Sequence, residues 1–142
     1  FLLAATKINS DLERIGDLVV NITENAPTIV KQPELKKLID IPRMADIARQ
    51  MVRESLHAFV KGDVLTAQKV IATDDQVDAL KEQIIRELLT YMLADPKAIE
   101  RAMALILIAR HLERIADHAT NIAEDVIYVI QGRDVRHPTT PR

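Results

Sequence analysis

Two stretches one hundred positions apart are near copies, "DLERIGDLVVNI" at 11–22 and "HLERIADHATNI" at 111–122. Leu, Glu, Arg, Ile, Asp, Asn and Ile recur at matching offsets, and the agreement extends to Glu24 and Glu124. Both copies carry apolar residues three and four apart, a period that belongs to helices and cannot place one face of a strand in a core. Around the second copy the seam is Leu105, Ile108, Leu112, Ile115, Ala119, Ile122, Val126 and Val129, a sustained heptad. Around the first it is Ala5, Ile8, Leu12, Ile15, Val19 and Ile22. The duplication predicts an all-α antiparallel bundle in which the repeated line is the last helix of two successive three-helix units, only the second of them complete. A chain that opens on Phe1, already in helical register, reads as a piece whose N-terminal part is missing.

Helix signals divide the chain. The first helix covers 1–26 with Pro27 as its stop, because proline lacks an N–H and crowds the preceding turn. Residues 27–41 read as a linker. Asp40 and Pro42 start a helix that runs to Gly62, and Asp63 caps a third over about 64–93, with Val70, Val77, Leu80, Ile84, Leu88 and Tyr91 facing inward. Asp95 and Pro96 open a fourth that stops at Gly132. The second unit is thus 42–132, followed by a tail at 133–142.

Composition narrows the chemistry. At 142 residues the chain is about one domain, and three glycines, two Phe, two Tyr and no Trp favour an aliphatic helical core. The absence of cysteine excludes disulfides, thiolate metal sites and a cysteine nucleophile, leaving any metal to oxygen or imidazole ligands. A net charge of -2 and so few aromatic rings argue against nucleic acid as a partner. The longest apolar run, "AMALILIA" at 102–109, falls far short of the roughly 20 residues that span a bilayer, so the expected location is the cytoplasm.

What remains polar on the repeated helices is patterned. With Leu112 at zero and about 100 degrees per residue, the seam lies at roughly 280–360 degrees, and Glu113, Asp117, Asn121 and Glu124 lie at roughly 100–180. Glu13, Asp17, Asn21 and Glu24 form the same stripe on the first helix. Between seam and stripe Ala102, Ala109, Ala116 and Ala123 recur every seventh residue and admit a neighbouring helix beside the carboxylates. The third helix has its own ladder, Asp74, Asp78 and Glu82. Like charges four residues apart destabilise a helix by roughly 0.2–0.5 kcal/mol per pair, so two facing ladders call for bound cations. Carboxylate oxygens with an amide suit Mg, Ca, Mn or iron. The bland alternative is a solvated acidic surface, the usual fate of a single Glu-x-x-x-Asp pair.

The histidines carry less. Glu54 and His57 match the Glu-x-x-His spacing of di-iron bundles, but that chemistry needs the motif twice. His111 and His118 fall off the acidic stripe and read as structural or partner-facing. No phosphate-cradling glycine loop or nucleophile-base set is visible, so the expectation is a protein without catalytic turnover.

At these residues the sequence resembles the PhoU family, the bacterial phosphate-uptake regulators. The likeness rests on Leu12-Glu13-Arg14-Ile15-Gly16-Asp17 with Asn21, on Leu112-Glu113-Arg114-Ile115-Ala116-Asp117 with Asn121, and on "DDQVD", "LLTYMLADP" and "GRDVRH". It implies two three-helix units and clusters of iron or zinc on Glu/Asp-x-x-x-Asp motifs, here Glu13, Asp17, Asp74, Asp78, Glu113 and Asp117, with Asn21 and Asn121 in support. It also implies a regulatory adaptor between a phosphate ABC transporter and a sensor histidine kinase that restrains the phosphate-starvation response. Such an adaptor reaches the membrane only through its partners, and a homodimer is compatible with the family. In this chain the helices that should face Glu13 and Asp17 are absent, so a first-unit site is half built. The competing readings are a ferritin-like di-metal bundle, whose carboxylates point inward, and a structural helical module without metal.

Overall fold

Four long helices account for the described residues, 1–30 and 40–132, of the computed structural model. They are α1 (Leu2–Val30), α2 (Asp40–Lys61), α3 (Val64–Ala94) and α4 (Ile99–Gln131), with a single 3₁₀ turn at Pro96–Ala98 leading into α4. The all-helical expectation holds. None of these helices is long and apolar enough to cross a membrane.

The turns form where the sequence placed them, and for the anticipated reasons. Gly62 ends α2 at φ +65 and Gly132 ends α4 at φ +63, both in the left-handed region that glycine enters without a side-chain clash. Asp63 caps α3: Oδ1 accepts from the Thr66 amide at 3.1 Å and Oδ2 from the Thr66 hydroxyl at 2.6 Å. Asp95 does the same for the 3₁₀ turn, accepting from the Lys97 amide at 3.0 Å.

α4 is the central helix, packed by α1, α2 and α3, while α2 and α3 also pack on each other. Its seam residues Leu105, Ile108, Leu112, Ile115, Ala119, Ile122 and Val126 are buried, and Val129, near the helix end, is half-buried. The alanine strip Ala102, Ala109, Ala116 and Ala123 is 0% exposed, so the neighbouring backbones come close along that side. On α3, Val70, Val77, Leu80, Ile84 and Leu88 are buried as expected, but Tyr91 is 37% exposed, its hydroxyl-bearing ring staying at the water-facing edge.

Two expectations for α1 are corrected. The helix does not stop at Pro27 but continues to Val30 with the proline inside its last turn. There the fixed φ of proline suits the helix, and only one backbone hydrogen bond near the end is lost. The seam is also rotated. Ala4, Ile8 and Leu18 are buried and Ile15 and Ile22 half-buried, whereas Leu12 is 36% and Val19 50% exposed. Among the described residues α1 packs along α4 alone, so it buries the single stripe that faces that helix and leaves open the flank that α4 fills with α2 and α3. The linker expected at 27–41 lies outside the described residues over 31–39, as does the tail at 133–142.

Asp11 and His118 pin α1 to α4, Nδ1 to Oδ1 at 2.8 Å, and the Phe1 ring stacks on Phe59 at the end of α2. Since Gly62, just past that end, lies against Ile130 near the end of α4, α1 and α4 run antiparallel. Enlarging the alanine strip should separate its helices. Ala116→Leu is expected to lower stability by about 1–3 kcal/mol, read from the urea midpoint, because Ala116 is 0% exposed and the added volume must displace close-packed neighbours.

Candidate acidic groove

The alanine strip decides where charge gathers. Beside it, α4 presents Glu113, Asp117 and Glu124, and the close approach of α3 brings Asp74 and Asp78 against them. Burial first, then the charges of Asp117, Asp75, Glu113 and Glu124, push the Asp74 carboxyl above its ordinary value. Asp78 is likewise raised, by burial and by Asp74, and it shares a hydrogen bond with Glu113. Asp117 keeps an exposed edge, yet loss of hydration and the charges of Glu113 and Asp78 raise it too. Three carboxyls held above their usual range describe a cluster short of positive charge.

Positive charge comes from Lys81, whose Nζ forms an ion pair with Glu113 Oε2, the two side chains being only 25% and 20% exposed, and, at Asp117, from His118 as well. Asp74 Oδ1 is buried and has no hydrogen-bond partner. An orphaned carboxylate oxygen in an all-oxygen cluster is the kind of donor a hard cation takes. In their present arrangement, however, no three His, Asp or Glu side chains among the described residues are placed to hold a metal ion together.

The remaining expected residues lie elsewhere. Glu82, the third rung of the α3 ladder, points to solvent and pairs with Arg86 at 3.8 Å. Glu13 and Asp17 sit exposed on α1 with no second ladder opposite them among the described residues. Asn21 is half-buried, its carbonyl accepting from the Asn25 amide at 3.0 Å, and Asn121 is half-buried on α4. Glu54 is engaged by Lys69 at 3.1 Å and by Gln50 at 3.0 Å, which holds its carboxyl below the usual range, while His57 is exposed. His111 is partly buried, and burial together with the Arg114 charge lowers its pKa. Sequence reasoning missed Lys81, whose signal was its position three residues after Asp78 and seven after Asp74, on the same face of α3. It also missed the Asp11–His118 pair, which spans 107 positions and leaves no local trace.

A family model described as the PhoU domain matches residues 41–126. The chain belongs to the PhoU family. It is 48% identical, over 96% of its length, to the phosphate-specific transport system accessory protein PhoU homolog of Aquifex aeolicus, covering 62% of that protein. A homolog of the same description from Deinococcus radiodurans is 42% identical over 87% of the chain, which covers 58% of it. The crystal structure of PhoU from Pseudomonas aeruginosa superposes with a TM-score of 0.88 at 38% identity, covering 92% of this chain and 63% of that one. The chain therefore spans less than two thirds of the PhoU proteins it matches. The family expectation drawn from the duplicated line holds, and so does the helical architecture.

Asp74, Asp78 and Asp117 each bind a proton more tightly folded than unfolded, so the folded state holds more protons above the ordinary aspartate value of 3.8. Stability should fall as pH rises from there through the raised folded values. Asp74→Asn is expected to flatten that slope in chelator-treated protein and to raise neutral-pH stability by about 0.5 kcal/mol, a small figure because the groove is open to solvent. Thermal unfolding from pH 4 to 8 measures both effects.

Proposed function

We propose that this chain is the cation-binding part of a regulatory accessory protein of a phosphate-specific transport system. The observation that carries the reading is the meeting of two acidic ladders, Asp74 and Asp78 on α3 with Glu113 and Asp117 on α4, in a chain whose relatives are described as transport-system accessory proteins. These four carboxylates would hold the ion, iron or zinc by family resemblance, with Asn121 and Glu124 at the margin. A bound cation supplies charge neutralisation and a cross-link between α3 and α4; the chain itself supplies the oxygen donors and the alanine strip that sets their spacing. Glu13, Asp17 and Asn21 are the corresponding half of a first-unit site.

In this reading the protein is an adaptor and not an enzyme. It works in the cytoplasm between the transporter and a sensor histidine kinase, restraining transcription of the starvation response when phosphate is plentiful. The outward position of the acids, on the opposite side of α4 from its seam, supports this over a ferritin-like centre, whose carboxylates converge inside the bundle. Glu54 tied to Lys69 and an exposed His57 point the same way.

Protein purified without chelator is expected to carry iron or zinc by elemental analysis, and added metal to raise Tm by mass action. In the double variant Asp78→Asn, Asp117→Asn both should disappear while the helical circular dichroism persists; unchanged metal content would leave the groove a solvated surface. In cells, deleting the gene is expected to raise starvation-promoter activity in high phosphate. Restoration by the wild type but not by the double variant would link the groove to regulation, and a deletion without effect on the promoter would sink the regulatory role.

A further inference from the structure

The outer line of α4 carries side chains that neither the core nor the acidic groove uses. Measured from Leu112 at about 100 degrees per residue, Ile99, Met103, Leu107, Arg110 and Arg114 fall within roughly 140–220 degrees, on the side away from the seam. The first three are large, apolar and 38–43% exposed, on a helix whose other apolar residues are mostly buried. The antiparallel register that Asp78 and Lys81 set on Glu113 brings Leu89 and Leu93, both exposed near the end of α3, level with Met103 and Ile99. Leu89 comes about three helical turns after Asp78 and so keeps to the same flank of α3. Five exposed apolar side chains thus share one end of the α3–α4 face, the kind of patch that marks an interaction site. Arg110 and Arg114 continue the line and are exposed, and among the described residues neither is paired with a carboxylate, whereas Lys69, Lys81 and Arg86 all are.

We propose that this line is a docking surface for an acidic amphipathic helix of a partner protein. Apolar residues at i, i+4 and i+7 of that helix seat on Ile99, Met103 and Leu107 beside Leu89 and Leu93, and carboxylates further along it pair with Arg110 and Arg114. Charge complementarity names the occupant. Each guanidinium can donate two parallel hydrogen bonds to one carboxylate, and its stem extends the apolar strip. The order apolar, basic, acidic along α4 also fixes the register, because a carboxylate placed one turn too far meets Asp117. From Ile99 to Arg114 the line is about 22 Å long, or about four turns of helix. A flat anionic bilayer fits less well, since Glu82 and Asp117 stand exposed on the same side of α3 and α4 and would face its headgroups. The surface is separate from the cation reading of the groove and stands or falls without it.

The probes are two fluorescent helical peptides of about 18 residues, with Leu at i, i+4 and i+7 in one half and Glu continuing the same stripe in the other. One has the Glu half first and one has it last, so both orientations are tried. By fluorescence anisotropy at low salt, one of them is expected to bind wild type with a Kd of about 10–100 μM. The double variant Arg110→Glu, Arg114→Glu should weaken that binding by about tenfold or more, and Met103→Ala, Leu107→Ala by about five- to tenfold. Leu65→Ala, which removes an exposed leucine at the far end of α3, should change nothing. Helical circular dichroism is expected to be the same in all variants, since every substituted side chain is exposed, and it separates lost binding from lost fold. If neither acidic peptide binds below about 1 mM, or if the same peptide with Lys for Glu binds wild type as tightly, the proposal is overturned. Two other occupants are measured alongside. Binding to phosphatidylglycerol vesicles that Met103→Ala, Leu107→Ala abolishes, in place of peptide binding, would assign the face to a membrane. Concentration-dependent dimers that Met103→Asp, Leu107→Asp abolishes would assign it to a second copy of the chain, and either result overturns the proposal.

Discussion

α4 must be apolar around most of its circumference, because three other helices lean on it, and this requirement shapes the rest of the molecule. A helix so enclosed leaves a narrow strip for charge, and Glu113, Asp117 and Glu124 fall in register along it, while Asp125 is buried. Where the strip borders α3, the alanines bring a second charged surface close enough that water no longer screens the two fully. The acidic groove is therefore a product of the same small residues that tighten the core. Packing and electrostatics are opposed at this edge: the strip gains burial for α3 and α4 and, in doing so, presses their carboxylates together.

Much of the architecture was legible because it is local. Heptad spacing, a cap such as Asp63 and stops such as Gly62 and Gly132 act over one or two helical turns, so residue type and spacing contain the information. Pro27 misled because the cost of proline depends on how much helix follows it, and only one turn does. The α1 seam misled for another reason. Its apolar residues cover a wide sector, and which part is buried depends on how closely the neighbours approach; Val19 is apolar and half exposed because it lines an open cleft whose other wall is α2, at Ala45, Ala48 and Val52. For the groove, helical angles were enough to bring Asp74 and Asp78 to Glu113 and Asp117, since both ladders flank known seams. They were not enough for Lys81, because a long flexible side chain chooses its partner by tertiary electrostatics that the period of a helix does not encode.

The balance of charge in the groove sits beside a core that does not depend on it. Met44, Met51, Val70, Val77, Ile84, Leu88 and Ile122 are buried to 1% exposure or less, none of them on the acidic edge. A site can carry net repulsion when the fold has that reserve, and relief of the repulsion is then available to a ligand. The shifts of Asp74, Asp78 and Asp117 all point one way, with Lys81 and, at Asp117, His118 in partial opposition. That asymmetry makes the groove responsive to small changes in its ionic surroundings, whereas the helical scaffold stays fixed.

The Asp11–His118 contact bears on why two near-identical helices stay heterologous partners. In antiparallel register, 118 opposite 11 sets 111 opposite 18, so the repeat-related positions pair as Asp with His and as His with Leu. Two copies of α1 in the same register would set Asp11 against Leu18 twice, burying carboxylates on apolar side chains, and two copies of α4 would set His111 against His118 twice. Each helix is thus a better match for its diverged sibling than for itself. Differences at just two repeat-related positions, 11 against 111 and 18 against 118, therefore favour pairing of α1 with α4 over pairing of either helix with its own copy.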